Sequence, residues 1–315
     1  MELTPIFAIQ ANGADVTNHI AQNLIDLQFK DEDGNVSDEL TINVYGDFQR
    51  PKYQDELKLW LGYKESGVFY CGLFKVQTSE RTDNHILKIT ATGADFSETL
   101  KQKKSRSFEK MSVKALCEQI ASQHSLTVNS DYDDVFISHQ AQNNESDLHF
   151  LKRLADELNA IFSIKNNVMV FLKKQKGGAK NDALPEFFID ATKVSSLTIK
   201  HSNKLLYMSC KAIWHDTKDN VKKEVIVGSG EPQLVLEGSF KDKAEAKLKA
   251  EAKLQKANQG IKSGSFTCAG IEIYAGGKLT LSNTLGGEDD ETYSIKSVSH
   301  SFSSSGWDTS VEFEN

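Results

Sequence analysis

The clearest hydrophobic pattern in the chain lies between Asn143 and Lys174. We expect Asn144 to cap a helix here, with Glu145 and Asp147 placing negative charge in its first turn. Apolar residues then recur at helical spacing, at Leu148, Leu151, Leu154, Ala155 and Leu158. Asn159 can adopt the left-handed conformation that ends a helix. The pattern therefore predicts one amphipathic helix.

A short hairpin is predicted directly after this helix. Ile161 to Ile164 and Val168 to Phe171 are apolar runs of strand length. Asn166 and Asn167 separate them, and asparagine tolerates the positive φ of a two-residue hairpin turn.

The first hundred residues alternate between apolar and polar positions, which is typical of half-buried strands. The predicted strands are Phe7 to Ile9, Leu24 to Phe29, Leu40 to Val44, Glu56 to Tyr63, Phe69 to Val76 and Ile86 to Ala91. Asn12-Gly13, Asp33-Gly34 and Asp83-Asn84 are the predicted turns. Regular strands with frequent turn signals favour a barrel or a sandwich.

A second helix is predicted before the helix described above. Ser112 is its expected cap, and the apolar stripe is Val113, Leu116, Cys117, Ile120 and Ala121. Leu126 to Val128 and Val135 to Ile137 are short predicted strands. Residues 105–178 are therefore expected to form a small α+β domain.

Strands resume in the last third of the chain. They are predicted at Leu197 to Ile199, Leu205 to Ile213, Val221 to Val227, Ser265 to Ile273, Lys278 to Leu281, Tyr293 to Phe302 and Thr309 to Phe313. A helix of strong helix formers is expected over about 241–258, ended by Gly260, and its weak stripe of small residues favours a place on a barrel surface.

The predicted fold class is mixed α+β and mainly β. Two β-barrel-like domains, 1–104 and 179–315, flank the α+β domain of 105–178. No sequence repeat is visible between the two β regions, although their layout is compatible with a distant duplication.

Two basic segments lie near the changes of pattern. Lys101 to Arg106 is interpreted as a solvated linker, the alternative being a patch that meets an acidic partner surface. Lys173 to Asp182 contains two glycines and shows no pattern of burial, so it is predicted to be a linker.

Composition excludes several classes of protein. The 315 residues carry a net charge of −7, which argues against general binding of nucleic acid through phosphates. No apolar run reaches the roughly 20 residues of a membrane span, and the N-terminus lacks the features of a signal peptide, so synthesis in the cytoplasm is expected. Cys71, Cys117, Cys210 and Cys268 are scattered in apolar segments and are expected to be buried free thiols.

No catalytic, cofactor or metal site is predicted. No two of the eight histidines lie within five residues of each other, and the local signatures of nucleophilic and phosphate-binding sites are missing. Asp131, Asp133 and Asp134 lack the spacing of a calcium loop, although dispersed carboxylates of a hydrolase remain open. The acidic turn from Gly286 to Glu291 is interpreted as a solvated loop, with cation binding as a remote alternative.

Three segments of the chain are distinctive in combination. They are ATGADFSETLKQKKSRSFEK, the helix-and-hairpin stretch NESDLHFLKRLADELNAIFSIKNNVMVFL with the helix MSVKALCEQIA and the strand ISHQAQ before it, and SIKSVSHSFSSSGWDTSVEFE. In this order they resemble the phage late control gene D protein family. One departure is Asn159, where members often have glycine, and both residues accept a positive φ. This family comprises hub proteins of contractile tails and is similar to the base of VgrG spikes of type VI secretion.

The resemblance implies a structural, non-enzymatic hub of a phage or prophage tail baseplate, located in the virion. It implies a homotrimer whose barrels form a ring with a central channel for DNA, joined to tail tube or tape-measure proteins on one side and to a separate spike on the other. The interface residues stay unknown at this level. Two other classes remain open: a peptidoglycan-binding module built on the helix from Met111 to Leu126, and a hydrolase using Asp131, Asp133 and Asp134.

Overall fold

The computed structural model describes residues 3–33, 37–93, 98–165, 168–173, 185–202, 206–216, 220–240 and 242–315. Thirteen of the described strands form one large sheet, and three smaller sheets lie apart from it. The mainly β, mixed fold class is therefore confirmed.

The first part of the chain folds as strands because its apolar and polar residues alternate. The elements are β1 Pro5–Ala11, β2 Ala14–Asp15, α1 Thr17–Ala21, β3 Leu24–Glu32, β4 Glu39–Tyr45, β5 Glu56–Tyr63, β6 Gly67–Thr82 and β7 Ile86–Gly93. Asn12 and Gly13 have φ values of 48° and 84°, and Asp83 and Asn84 have 52° and 59°, as a hairpin turn requires. These two predicted turns are confirmed. The third, Asp33-Gly34, extends beyond the described residues.

The middle of the chain forms a compact α+β unit. Its elements are β8 Lys103–Ser112, α2 Val113–Ser122, β9 Thr127–Ser130, β10 Phe136–Ser146, α3 Asp147–Leu158, β11 Ala160–Lys165 and β12 Val168–Lys173. β8 pairs with β10, while β11, β12 and β9 form a second small sheet. The stripes of both helices face one shared hydrophobic core. Lys165 opposes Val168 across the predicted hairpin, whose turn residues lie outside the described part of the chain.

Two predictions in this unit were wrong. Asn144 does not cap α3: it lies in β10 with φ 49°, and the cap is Ser146, whose hydroxyl accepts a hydrogen bond of 3.1 Å from the N–H of His149. The segment from Lys101 to Arg106 is not a solvated linker, because β8 begins at Lys103. Both errors have one cause: antiparallel pairing of β8 with β10 continues to Ser146 opposite Lys103.

The last part of the chain supplies two separate structures. Its elements are β13 Glu186–Asp190, β14 Ser196–His201, β15 Ser209–Asp216, β16 Val221–Gly228, β17 Gln233–Glu237, α4 Lys243–Ala257, β18 Lys262–Ala269, β19 Lys278–Ser282, β20 Thr292–Ser303 and β21 Gly306–Glu314, with short 3₁₀ turns at Ala191–Lys193 and Leu285–Gly287. A further 3₁₀ turn, Glu98–Lys101, precedes β8. The sequence did not predict α1, β13 or β17, which are short or carry weak alternation. The predicted linker from Lys173 falls almost wholly outside the described residues.

α4 packs against the three-stranded sheet β16-β15-β17 rather than against the large sheet. Ala246 and Ala250 face Cys210, Ala212 and Trp214 of this sheet in a hydrophobic core of its own. Small residues on the helix allow this close approach, so the weak stripe marks a real packing face.

The large sheet follows the order β14-β18-β21-β20-β3-β4-β7-β6-β5-β1-β2. The strands from the last part of the chain form one block of this sheet and those from the first part form the other, and β20 pairs with β3 to join the two blocks. Among the described strands this path is open, with β14 at one end.

Asn159 should tolerate glycine better than alanine. It ends α3 in the left-handed conformation, with φ 49° and ψ 48°, where an L side chain with a Cβ is strained. We expect Asn159→Ala to have a free energy of unfolding lower than that of Asn159→Gly by about 1 kcal/mol. Chemical denaturation of the two variants measures the difference.

Both variants lose the contact of 3.4 Å between the Asn159 amide and Gln255, so their comparison isolates the backbone effect. Equal stability of the two variants would contradict this role of Asn159.

Candidate interaction surfaces

The three aspartates that a hydrolase would need are engaged separately. Asp131 accepts a hydrogen bond of 2.9 Å from the backbone N–H of Lys173, and Asp134 lies 2.6 Å from the Lys173 ammonium. Asp133 is 3.5 Å from Lys114. Among the described residues, no group of three or more His, Cys, Asp or Glu is placed to hold a metal ion. These carboxylates therefore anchor a loop to β12 and α2.

The acidic turn from Gly286 to Glu291 is tied to the large sheet. Lys262 lies 3.0 Å from Asp289 and 3.1 Å from Glu291, while His201 lies 2.8 Å from Asp289. Partial burial raises the pKa of Asp289, but Lys262 and His201 outweigh it and the pKa is lowered. The turn thus fastens β18 to β14.

The four cysteines are free thiols, and Cys117, Cys210 and Cys268 are buried as predicted, whereas Cys71 is half-buried. Burial raises the pKa of Cys117 to about 12 and that of Cys268 to about 11. Protonated thiols of this kind are poor nucleophiles.

The stripe of α2 faces the interior of the α+β unit. Val113, Leu116 and Ile120 are all fully buried, so the apolar residues of the segment from Met111 to Leu126 pack inside the fold. No described helix is long and apolar enough to cross a membrane.

Asp147 is the most enclosed charge in the α+β unit, with 0% of its side chain exposed. Lys104 reaches it at 2.6 Å and His124 at 2.8 Å, and the Gln142 amide donates to it at 2.9 Å. Arg106 forms a further ion pair with the other carboxylate oxygen. The carboxylate thereby links β8, β10, the end of α2 and the first residue of α3.

Two opposing effects set the ionisation of Asp147. Burial raises its pKa, but the hydrogen bonds from Lys104, His124 and Gln142, together with the charge of Arg106, outweigh burial and lower the pKa. Asp147 also lies at the helix N-terminus, where negative charge is favoured. The basic segment from Lys101 to Arg106 therefore contacts an acidic group, as its alternative interpretation predicted. This group belongs to the same chain and not to a partner.

The open end of the large sheet at β14 exposes backbone hydrogen-bonding groups. Ser202 donates its N–H to the Ile261 carbonyl at 2.7 Å, and this fixes the phase of the β14–β18 ladder. Leu197, Ile199 and His201 consequently direct their N–H and C=O groups away from β18. Unpaired groups of this kind are a template for another strand.

A second open edge belongs to β6. Its first half, Gly67 to Lys75, pairs with β5, and its second half beyond the bulge at Gln77 pairs with β7. Among the described strands, none pairs with the other side of this second half. The Arg50 side chain donates to the Ser79 carbonyl there at 2.7 Å.

An apolar face covers the outside of β1, β5 and β6. Opposed residues form rows across it: Ile6, Gly62 and Val68, then Ala8, Trp60 and Tyr70. The rings of Trp60 and Tyr70 are 5.2 Å apart, and Val68 and Tyr70 are 43% and 36% exposed. Aromatic and apolar surface of this kind is typical of protein contacts.

The chain is similar to proteins of phage tails. A family model described as phage tail baseplate hub (GPD) matches residues 70–306. The probable baseplate hub protein of Escherichia phage 186 is 26% identical over an alignment of 362 residues that covers 99% of this chain and 93% of that protein.

Solved structures share the fold along nearly the whole chain. The 43 kDa tail protein of prophage MuSo2 from Shewanella oneidensis has a TM-score of 0.71 at 13% identity, with 98% of each chain covered. The Escherichia coli c3393 protein, a component of the type VI secretion system, has a TM-score of 0.59 at 11% identity and covers 97% of this chain and 76% of its own.

Replacement of Asp147 by asparagine should destabilise the protein. The change leaves Lys104 and Arg106 without their carboxylate, and we expect the free energy of unfolding to fall by roughly 3 kcal/mol. Asp133→Asn is the matched control, because Asp133 is 70% exposed and lies 3.5 Å from its lysine. Its effect should stay within about 0.5 kcal/mol. Equal losses in the two variants, measured by chemical denaturation, would contradict the assignment.

The stabilisation from Asp147 should depend on pH. Because its folded-state pKa is lowered, its contribution is present above the unfolded-state pKa of roughly 3.9 and is lost as the pH falls through the folded-state value. The difference in stability between the natural protein and Asp147→Asn should therefore shrink on acidification from neutral pH. A difference that does not change with pH would show that Asp147 acts through packing alone.

Proposed function

The chain belongs to the phage tail baseplate hub (GPD) family, and from that membership we propose that three copies of it close into a ring at the tip of a contractile tail. Family membership supports a structural role, and we infer that the chain has no catalytic function of its own.

The strand topology supports the ring, because the two halves of the large sheet repeat one arrangement. In the first half the spatial order is β3-β4-β7-β6, and β5 and then β1 continue from β6. In the second half the order is β14-β18-β21-β20, and β19 and then β13 continue from β20. The order along the chain is also the same. The two halves differ in one pairing: β13 pairs with β19 in parallel, whereas the corresponding strands β1 and β5 pair antiparallel.

The hairpins β6–β7 and β20–β21 share a further detail. Each has a bulge in its first strand, at Gln77 and at Lys296. A bulge bends its strand, so bulges at corresponding positions bend the two strands in the same way. This likeness supports the duplication with which the sequence layout is compatible.

Repetition makes the two open edges complementary. Inside the chain, β20 pairs with β3. In the repeat, β20 is the counterpart of β6, and β3 is the counterpart of β14. The free edges of one copy are therefore a β6 edge and a β14 edge, the same two kinds that already pair internally. Thr78 and Glu80 of β6 are exposed, whereas Ser297 and Ser299, at the corresponding positions of β20, are buried and half-buried where β3 lies beside them.

If two chains pair in the way that β20 and β3 pair within one chain, β14 of one copy lies beside β6 of its neighbour. Such head-to-tail contacts form a ring when the rotation closes. Three copies with two repeats each then give six similar units around a central channel, through which DNA would pass. The ring covers both open edges, which answers the hazard that an exposed edge strand presents.

Within the virion we place this ring between the tail tube and the spike. The apolar face of Ile6, Trp60, Val68 and Tyr70 supports contact with another tail protein. In the second half, Lys278 and Thr280 of β19, the counterpart of β5, are polar, and the exposed apolar residue of that face is Phe188 beside Thr280. The α+β unit lies outside the ring.

Proline at the β14 edge should prevent ring assembly. His201 directs its N–H away from β18, so His201→Pro removes a donor from the free edge and leaves the backbone ladder to β18 intact. It also removes the imidazole that pairs with Asp289; His201→Ala removes that contact alone and should still form trimers. Analytical ultracentrifugation at high protein concentration should show trimers of the 35.0 kDa chain for the natural protein and monomers for the variant.

Lys222→Pro is the matched control. Ser229 donates to the Met208 carbonyl at 3.1 Å, which fixes the phase of the β15–β16 ladder and directs the Lys222 N–H to the open side of β16. β16 lies in the separate small sheet, so this variant should still form trimers. A natural protein that stays monomeric at the highest concentration, or equal assembly by both proline variants, would overturn the proposal.

A further inference from the structure

The two halves of the large sheet correspond residue by residue. The bulge at Gln77 in β6 matches the bulge at Lys296 in β20, so the residues directly after the bulges occupy the same position. Each of these residues begins a row of directly opposed residues that crosses three further strands. The rows are Thr78, Thr90, Thr41 and Gln28 in the first half, and Ser297, Glu312, Ser265 and Thr198 in the second. The last members of the rows, one in β3 and one in β14, therefore correspond.

The side chains of β3 and β14 agree with this correspondence. Two apolar positions that pack against the hydrophobic cores recur, and the matched residues are Leu27 with Leu197 and Phe29 with Ile199. The next position is an exposed lysine in both strands, Lys30 in β3 and Lys200 in β14. The alignment set by the two bulges is thus repeated in strands that contain neither bulge.

The acidic residue near this lysine differs between the two strands. At the internal junction, Lys30 pairs with Glu32 of its own strand at 2.6 Å and opposes Ser299 of β20. In β14 the position of Glu32 is taken by Ser202, and in β6 the position of Ser299 is taken by Glu80. The β14 lysine therefore has no carboxylate two residues along its own strand. A β6 strand paired in the same register supplies one directly opposite it.

The backbone groups of the two free edges fit the same register. Ile199 and His201 direct their N–H and C=O groups away from β18. On β6 the Ser79 carbonyl faces the free side, where Arg50 donates to it at 2.7 Å and leaves its second lone pair available. Arg81, two residues further on, has the same phase. The register places Ile199 opposite Arg81 and His201 opposite Ser79, so outward groups meet outward groups. A shift by one residue would break this match.

We propose that β14 of one copy pairs with β6 of the next copy in the register that places Lys200 opposite Glu80. This assignment rests on the ring proposed above and names the residues that join its subunits. The flanking pairs bring hydroxyl groups together, and they are Thr198 with Thr82 and Ser202 with Thr78. Opposite charges and hydroxyl pairs directly across two strands both stabilise an antiparallel pair.

Lys200 and Glu80 are available for this contact. Both side chains are exposed in the single chain, and neither has an ion-pair partner among the described residues. Within the chain, Lys200 opposes Ser263 of β18, and Glu80 opposes Lys88 of β7. Because the outward backbone groups belong to the residues on either side, the two would form a non-hydrogen-bonded pair, in which side chains are closest. An ion pair there favours one register and one partner edge.

A disulfide across the junction tests the register in the full-length protein. Lys200→Cys combined with Glu80→Cys places two Cα atoms about 4.5 Å apart, a separation that a disulfide spans. After mild oxidation, non-reducing gel electrophoresis should show chains linked covalently up to the trimer, and reduction should return them to single chains. The natural protein, oxidised in the same way, shows the background from its own cysteines.

Lys200→Cys combined with Thr82→Cys is the matched control. Thr82 lies on the same face of β6 two residues further along, so the diagonal separation is about 7–8 Å. This exceeds the reach of a disulfide without backbone movement, and we expect roughly tenfold less cross-linking.

Exchange of the two charges tests the ion pair. Lys200→Glu or Glu80→Lys alone opposes like charges, and each should raise the concentration at which half of the chains are trimeric by roughly tenfold. The two changes combined should return it to near the natural value. Lys222→Glu, on the exposed side of the separate small sheet, is the control of equal charge and should change it less than about twofold. Sedimentation over a series of protein concentrations measures these values.

The outcomes separate the register from the ring. Equal cross-linking by the two cysteine pairs, in a protein that sediments as a trimer, would overturn the register and leave the ring in place. No recovery when the two charge changes are combined would overturn the ion pair. A natural protein that stays monomeric at the highest concentration would overturn ring and register together.

Discussion

The antiparallel pairing of β20 with β3 is the constraint on which the large sheet depends. It joins a strand near the C-terminus to one near the N-terminus, and opposes His300 to Phe29. The two rings stack 5.6 Å apart, and the Trp307 indole donates to His300 Nδ1 at 3.3 Å. Burial lowers the pKa of His300 to about 4, so the imidazole stays neutral within this core at physiological pH. The junction between the halves is therefore a packed interior and not a loose contact between domains.

The same junction explains why the edges of the sheet matter. A repeated unit that pairs with its own second copy inside one chain necessarily leaves one unmatched edge of each kind. Barrels remove such edges by closing on themselves. Here the described strands stay open, so further copies of the chain are the simplest means of covering the edges. The proposed ring and the open topology would thus have one physical origin.

The two smaller units meet through Leu248 of α4, which packs against the core of the α+β unit, and through ion pairs. Lys256 and Lys249 of α4 reach Asp156 and Glu157 of α3 at 2.8 and 3.4 Å. Exposed pairs of this kind contribute little stability individually. The α+β unit instead depends on its own core and on Asp147, whose burial is tolerated because every neighbouring element supplies a donor. The helices can therefore leave a cleft between them without loss of either core.

The sequence by itself determined the local structure. Helix α2 with its Ser112 cap, the Asn159 end of α3, the hairpin turns and most strands follow from interactions between residues close in the chain. The tail-hub resemblance also followed from the order of short segments. Only the tertiary structure decided that Lys104 and Arg106 lie on a strand, because their partner Asp147 is about forty residues away and strand pairing there competes with the nearer cap signal at Asn144. The tertiary structure alone decided the β20–β3 junction, the two open edges and the cleft between α3 and α4. Each is formed by residues that lie far apart along the chain, and no local sequence pattern predicts which of them meet.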